Sequence, residues 1–547
     1  MKKFLDKIKE KKFFWLLFAC VLALGIFIRT YNFHDWLRFS KDQSRDAFII
    51  SNAIEGKEAL PLLGPAAGAT DFYLGPVYYY FSYISAEIFG NYPDRMAYPS
   101  LFFSILAIPL LFYFLKEYFN RNISISLTAI MSVSYFAVIN SRFSSNPNLM
   151  PFFVLLFLYA FLKILNSKKK DGWFWFLVVG VAIGIGIQLH AILLVVLPVM
   201  MLVIFAYLIK QKKVAVFKGF FIVIFIALLL NIPQIVNEIK TQGENSKAFF
   251  AVFDSQTDSD FSITKKIVLL SLCQVKANSY IISSVPITEE CVKEFDLKLG
   301  AKKLFGGIKN KPLPLRSIVF WLSTLASIVF SLAGYFLLVY YFRKEKDEKA
   351  KNFLGLFLTF NIISLIFLIP VVVRINVNYF IFIFFVPFVL FGLMLKFILE
   401  KNIKFGSLIA ATLFAVIFIP SILIDIYFFN YYSKNLDNNL DNSNLKQAEL
   451  MSEYMLEKTN GNNSPKIMLA GQAVYINRFS NSLAYLLRKS EKKIVTSMET
   501  SLSEEEKELF FIHGSDSKTV NLENKIQGYE TLDGQRYGKV DLFFIRK

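Results

Sequence analysis

The stretch "VYYYFSYISAEIFG", residues 77–90, decides how the chain is threaded. If it crosses a bilayer, every later segment changes side; if it does not, residues 31–96 form one long loop on a single face. A helix rises about 1.5 Å per residue, so a hydrocarbon core of about 30 Å needs about 20 mostly apolar residues. This piece is shorter, is cut off by Gly75-Pro76 and carries Glu87. It reads as an interfacial or re-entrant helix, not a span.

The rest of the chain shows why the question matters. Of 547 residues, 55% are hydrophobic, 17% are aromatic, 60 are Phe and only 19% are charged, where a soluble protein carries about a quarter charged. This is the composition of a polytopic membrane protein. Apolar runs at 13–30, 97–116, 123–141, 148–166, 173–190, 191–209, 217–236, 315–342, 353–372, 377–398 and 405–427 predict about eleven spans. The first run follows "MKKFLDKIKEKK", residues 1–12. It is too long for a signal-peptide core and lacks a small-x-small cleavage site, so a retained span with a cytoplasmic N-terminus is expected.

A net charge of +18 raises the question of nucleic acid, but the lysines fall in short clusters between apolar runs. That is the positive-inside pattern, and no nucleic-acid partner is expected. The clusters "NSKKKDG" (166–172), "KQKKVAVFK" (210–218), "RKEKDEKAK" (343–351) and "EKNIK" (400–404) are therefore placed in the cytoplasm. Counting back from them puts the N-terminus inside, the C-terminus outside, and residues 31–96 outside without a crossing at 77–90. The alternative is that 77–90 is an ordinary span and the threading is off by one.

Two further external regions follow, a loop of mixed polarity at 237–314 and a hydrophilic domain at 428–547. The domain alternates helix-like stretches ("SNLKQAELMSEYMLEK", "SNSLAYLLRK", "SEEEKELF") with strand-like ones ("KIMLA", "KIVTS", "FFIHG", "GKVDLFFI"), as in a small α/β fold. Three cysteines exclude a disulfide-built scaffold, although Cys273 and Cys291 share the second loop and could pair. No internal repeat is visible, which weighs against transporters built from inverted repeats.

With sides assigned, polar residues near span ends gather on the outer face. Such residues are costly at a membrane and mark a site by default. In "FSKDQSRDAFI", residues 39–49, Asp42 and Asp46 stand four apart with Arg45 between, so a helix presents all three on one face. An Arg beside two carboxylates keeps at least one ionised and able to accept a proton; the plainer reading is a surface ion-pair network. "LLGPAAGATDFYLGPVYYY" adds Asp71, Tyr73 and Tyr78 between Gly-Pro breaks, with an ordinary aromatic belt as the alternative. "SRFSSNPNLMPFF" offers Arg142 and Asn146 in a turn, and "QLH" offers Gln188 and His190 at a hairpin tip, where a lone His is commonly a plain turn residue. Glu238 ends a span. Arg374, near Tyr379, lies on the outer side against the charge bias, where it suits a phosphate or snorkels.

Taken in order, the acidic pair, the Gly-Pro-aromatic stretch, the "R...NP...P" turn, the "QLH" tip and "NIPQIVNEIK" resemble membrane-embedded GT-C glycosyltransferases, in the branch of protein O-mannosyltransferases and the lipid A aminoarabinose transferase. The resemblance covers roughly residues 10–430. It implies a GT-C-type catalytic domain over 13–427 and an inverting transfer of sugar from a polyprenyl-phosphate donor to an acceptor hydroxyl of a protein, lipid or glycan. The reaction would lie on the outer face of the cytoplasmic membrane. The family's catalytic carboxylate maps onto Asp42. A second acid often follows directly, but Gln43 stands there, so Asp46 or Asp71 would share the role. The family's later carboxylate is replaced by Asn146, which puts a divalent metal in doubt and leaves it open. Arg45, Arg142, His190 and Arg374 would hold the donor phosphate, while Asp71, Tyr73, Tyr78, Asn146, Gln188, Glu238 and Tyr379 would line donor or acceptor.

Two rivals stand beside this reading. One is a lipid-linked saccharide flippase or transporter, disfavoured because the span interiors carry little charge. The other is a non-catalytic scaffold whose C-terminal domain binds a partner.

Overall fold

The computed structural model describes residues 2–68, 70–167, 173–211, 216–255, 261–284, 315–372, 375–401, 404–434, 444–459, 466–490, 492–498, 508–514, 528–538 and 540–547. It opens with α1 (Lys2–Thr30), α2 (Lys41–Ile54), α3 (Val77–Phe89), the short α4 (Pro93–Met96) and α5 (Tyr98–Leu115). Next come α6 (Arg121–Ser132), α7 (Tyr135–Ser141), a 3-10 turn at Asn146–Leu149, α8 (Met150–Asn166), α9 (Trp173–Leu189), α10 (Ala191–Lys210), α11 (Val216–Leu230) and α12 (Ile232–Lys240). The bundle is completed by α13 (Glu244–Ser255), α14 (Ile263–Ser283), α15 (Leu315–Lys344), α16 (Glu348–Leu368), a 3-10 stretch Val377–Ile383, α17 (Val386–Glu400) and α18 (Gly406–Lys434).

Among the described residues, 7 helices are long and apolar enough to cross a bilayer, or up to 10 with three bent pairs counted as single spans. The bent pairs are α6/α7 at 54°, α11/α12 at 65°, and the 3-10 stretch with α17 at 66°. The 17-residue α9 is apolar but shorter than these, so the described residues give up to 10 such spans where the sequence suggests about eleven. The stretch 77–90 is the 13-residue α3 and is not among the crossing helices. The second bend has a clear cause: Pro233 in the first turn of α12 has no N–H to continue the ladder. Asn231 stands at the bend, donating from Nδ2 to Ala227 O of α11 at 2.7 Å and to Gly184 O of the neighbouring α9 at 2.9 Å.

Two arginines pin the ends of the first spans reciprocally. Arg29 of α1, fully buried, donates to Ser132 O at 2.7 Å and to Ser104 Oγ at 3.1 Å, tying the break between α6 and α7. Arg142, just past α7, donates to the carbonyls of Ile28, Arg29, Tyr31 and Asn32 at 2.8–3.1 Å and so closes the C-terminus of α1. Ile28 and Arg29 lie in the last turn of α1, whose carbonyls a helix end leaves orphaned, and Tyr31 and Asn32 follow directly.

The C-terminal domain begins with α19 (Leu445–Thr459), after which β1 (Lys466–Gly471), α20 (Ala473–Leu487), β2 (Lys493–Met498), β3 (Glu508–Gly514), β4 (Glu530–Tyr537) and β5 (Val540–Arg546) build one sheet in the order β2-β1-β3-β5-β4. β1 pairs parallel with β2 and β3, with Leu469 opposite Phe510, while β5 pairs antiparallel with β3 and β4. One face, from Ile467, Leu469, Phe510, Ile512 and Leu542, packs against Met451, Met455, Phe479 and Leu483 of α19 and α20.

The structure departs from the sequence reading in several places. β4, "ETLDGQRY", was not foreseen because it is a solvated edge strand without an apolar face. The stretch 503–510, read as helical, contributes Glu508–Phe510 to β3, and 503–507 lie outside the described residues. The region 237–314 is largely helical where described, since α14 buries Leu269, Leu270, Cys273 and Ile281. Cys273 is disulfide-bonded and Cys20 is free; Cys291 lies outside the described residues.

Candidate active site

α2 starts where Ser40 caps it. Gln43 Oε1 accepts from Ser40 Oγ at 2.6 Å and from its backbone N–H at 3.3 Å, which closes a capping box. The same amide donates from Nε2 to Ser144 O at 3.1 Å and so ties the first turn of α2 to the turn before α8. A carboxylate could accept from Ser40 but could not donate to Ser144. Gln43 is thus committed to structure where a second acid was considered.

The tie fixes how α2 presents its charges. Its buried face is Gln43, Ser44, Asp46, Ala47, Ile50 and Ser51. Arg45 bridges the two acids: NH1 lies 3.3 Å from Asp42 Oδ1, and Nε and NH2 lie 2.9 and 2.8 Å from Asp46 Oδ1. Tyr79 of α3 donates to that same Asp46 oxygen at 3.0 Å. Three donors converge on Oδ1, and Oδ2 has no partner among the described residues. The acids differ sharply in setting, the Asp42 side chain being 71% exposed and that of Asp46 6%. Burial holds the Asp46 carboxyl up at about 6, against Arg45 and Tyr79, which favour its charged form.

These side chains open onto a cavity of about 620 Å³. One wall is the loop of Pro65, Ala66, Ala67, Gly68, Thr70, Phe72 and Leu74, and another is Ser144, Ser145, Asn146 and Pro147. The remainder is His190, Ile192 and Val195 at the start of α10, Phe249 of α13, Phe367 and Leu368 of α16, and Val371, Ile375 and Tyr379. The lining thus combines the charged side chains of α2 with apolar ones from α10 and α16. The loop wall is folded on itself, Gly64 N donating to Leu74 O at 2.8 Å and Leu74 N to Pro65 O at 3.0 Å. It is clamped from outside by Asn245, which accepts from Tyr73 N at 2.7 Å and donates to Tyr73 O at 3.0 Å. The Gly-Pro breaks have a steric reason: a Cβ on Gly64 would strike the Gly75 carbonyl, and one on Gly75 would strike the Gln188 side chain.

His190 caps α10, its Nδ1 accepting from Ile192 N at 3.2 Å. That bond puts the proton of the neutral ring on Nε2, making His190 a donor there. Burial pushes the imidazole down to about 4, so it stays neutral. Its ring stands edge-on to Tyr379 at 5.6 Å. Asn146 is 3% exposed, and its Nδ2 has no hydrogen-bond partner among the described residues.

Of the residues singled out in the sequence, Asp42, Arg45, Asp46, Asn146, His190 and Tyr379 meet at this one cavity. Others do not line it. Arg142 gives its guanidinium to the end of α1. Tyr78 is buried behind the wall, hydrogen-bonded to Ser144 Oγ. Gln188 is spent on Val77 N, Gly184 O and Leu230 O. Asp71 and Tyr73 face solvent on the outside of the loop, and Glu238 accepts from Ser246 N at 3.4 Å. Arg374 lies outside the described residues. Sequence reasoning passed over Tyr79, hidden in an aromatic run that reads as a belt, and Ser144 and Phe249, which carry no signal of their own.

A divalent metal does not fit these donors. Among the described residues no three His, Cys, Asp or Glu side chains gather to hold one, and Arg45 occupies the place between Asp42 and Asp46 that a cation would take.

Residues 74–236 match the family described as dolichyl-phosphate-mannose-protein mannosyltransferase. No curated protein matches the chain in sequence. Among solved structures the fold is similar to the Archaeoglobus fulgidus oligosaccharyltransferase in complex with zinc and sulfate, with a TM-score of 0.52 at 13% identity over 88% of this chain and 62% of that one. AglB from the same organism, in complex with an inhibitory peptide and a dolichol-phosphate, gives 0.49 at 13% identity over 89% and 65%. ArnT from Cupriavidus metallidurans in the apo state gives 0.47 at 10% identity over 98% of both chains. The chain spans 62% of the length of the first of these. The GT-C resemblance read from the sequence is borne out: the fold is of GT-C type, and a segment inside it matches a glycosyltransferase family.

Proposed function

We propose that this GT-C-type protein is an inverting glycosyltransferase that moves a sugar from a polyprenyl-phosphate donor to a hydroxyl on an acceptor, at the extracytoplasmic face of the cytoplasmic membrane. The observation that carries the reading is the Asp42–Arg45–Asp46 bridge in the wall of a cavity that is also lined by apolar side chains of α10 and α16. The family matched over 74–236 supports the lipid-phosphate donor, and that segment contains Asn146 and His190. The positions of the basic clusters support the side.

In this mechanism Asp42, exposed and held by a single contact to Arg45, accepts the proton of the acceptor hydroxyl. The hydroxyl oxygen forms the new bond to the anomeric carbon from the face opposite the phosphate. The old bond between that carbon and the phosphate oxygen breaks, and its electron pair leaves with the polyprenyl phosphate. His190 Nε2–H and the unpartnered Asn146 amide are neutral donors for the phosphate oxygens, and placed donors of this kind stabilise charge as it develops. Asp46 anchors Arg45. The polyprenyl chain lies along Ile192, Val195, Phe367, Leu368 and Val371.

Membranes containing the protein, supplied with radiolabelled polyprenyl-phosphate sugars one at a time, should release one label from lipid to acceptor. Asp42→Asn should fold normally and abolish the release. Undiminished transfer by Asp42→Asn would remove Asp42 as the base.

A further inference from the structure

The face of α2 turned away from the cavity is covered by the C-terminal domain. Tyr485 on α20 is fully buried, and its ring takes Phe39 and Phe48 edge-on with centroids 5.5 and 5.2 Å away. Its hydroxyl lies 2.9 Å from Ser51 Oγ in the last turn of α2. Ser51 gives its own proton to Asn91 Oδ1 at 2.7 Å, so Tyr485 is the donor of that pair. Arg488 stacks over the Tyr485 ring at 3.9 Å and reaches Glu55, which caps α2, at 3.8 Å. At the opposite end, Ser482 Oγ donates to Phe39 O at 2.8 Å, immediately before the cap residue Ser40. One helix of the soluble domain therefore grips α2 at both ends. A helix tied at one end still swings and turns about its axis; tied at both ends along one face, it does neither.

We propose that α20 is the positioning element of the catalytic site, with Tyr485 its central residue, holding α2 at the rotation that aims Asp42 and Asp46 into the cavity. The proposal rests on the reading of α2 as the catalytic helix. None of Ser482, Tyr485 and Arg488 lines the cavity; they act through α2. Displacing a reacting group by about 1 Å costs on the order of a hundredfold in rate, so a loosened α2 should lower kcat while leaving the apolar lining from α10 and α16, and donor KM, as they are.

The test uses the full chain in membranes and in detergent. Tyr485→Ala should lower kcat by about ten- to a hundredfold with donor KM within about twofold, and should speed amide hydrogen exchange within 41–54. Tyr485→Phe keeps the ring contacts and should restore most of both. Exchange in 41–54 that stays as in the wild type, or full activity with 41–54 loosened, overturns the proposal. If Tyr485→Ala does not accumulate, Ser482→Ala removes one hydrogen bond at the opposite end and must still shift exchange at the start of α2. Full activity of both Asp42→Asn and Asp46→Asn overturns the catalytic reading instead, and the exchange measurement still decides whether α20 holds α2.

Discussion

Asp42 and Asp46 stand one helical turn apart and share one arginine, yet their surroundings divide them. Asp46 is folded under Tyr79 and Arg45, and its carboxyl sits at about 6 because burial outweighs both. Its charge anchors Arg45, so transfer should fall as the pH drops through about 6, when Asp46 takes up a proton. The Tyr79 hydroxyl favours the charged form; Tyr79→Phe should therefore move the acid limb of the kcat profile upward by about one unit, a hydrogen bond to a charged group contributing about 1.5 kcal/mol. An acid limb that stays in place would detach Asp46 from the reaction. The spacing of the acids was legible in the sequence, since four residues on a helix is one turn. Their inequality was not, because it comes from α3, more than 30 residues further on. Gln43 shows the same limit: only the Ser144 carbonyl explains why an amide stands there.

At the scale of elements, the apolar runs were enough to place the spans, because a membrane admits only segments that satisfy their own backbone. The bends within them were less readable. Pro233 announces one, whereas the break at α6/α7 depends on Arg29 reaching Ser132 from another helix. The loop wall of the cavity is a further case in which the sequence supplied the breaks but not the clamp. Asn245 holds Tyr73 through two hydrogen bonds, and the Phe249 ring packs against Phe72, tilted, with centroids 4.9 Å apart. Asn245→Ala should free that wall by about 1–2 kcal/mol and raise KM for the donor by up to about tenfold, with kcat little changed. Unchanged KM in a purified, folded variant would mean that the wall does not order the substrate.

For the whole molecule, the sequence showed two domains and said nothing of how they meet. Besides the grip of α20 on α2, one contact between them is His34, which lies 3.3 Å from Asp94 and 3.2 Å from Glu449 of α19. Hydrogen bonds to Asp94 and then Glu449 hold the imidazolium up at about 10. Burial pushes the two carboxyls up, but His34 together with Arg95 beside Asp94, and with Tyr92 and Lys446 beside Glu449, outweighs it, and both end lowered. The raised His34 contributes stability that is full below about 6.5 and lost as the pH climbs through about 10; the carboxylates contribute above their ordinary values, near 4, and lose it as the pH falls. The contact is thus strongest from about pH 4.5 to 6.5. His34→Ala should flatten the loss of thermal stability between pH 7 and 10 relative to the wild type, and parallel curves for the two proteins would refute the contact.

The paired arginines set an order of assembly. A chain made from its N-terminus exposes the carbonyls of Ile28 to Asn32 long before Arg142 exists to receive them, and Arg29 waits through 103 residues for Ser132. The first span cannot settle alone; it becomes a finished part only when α6 and α7 arrive beside it. Biosynthesis therefore holds α2 and its acids in an unfinished setting until residue 142 has been made, and again until α20, near the end of the chain, closes over them.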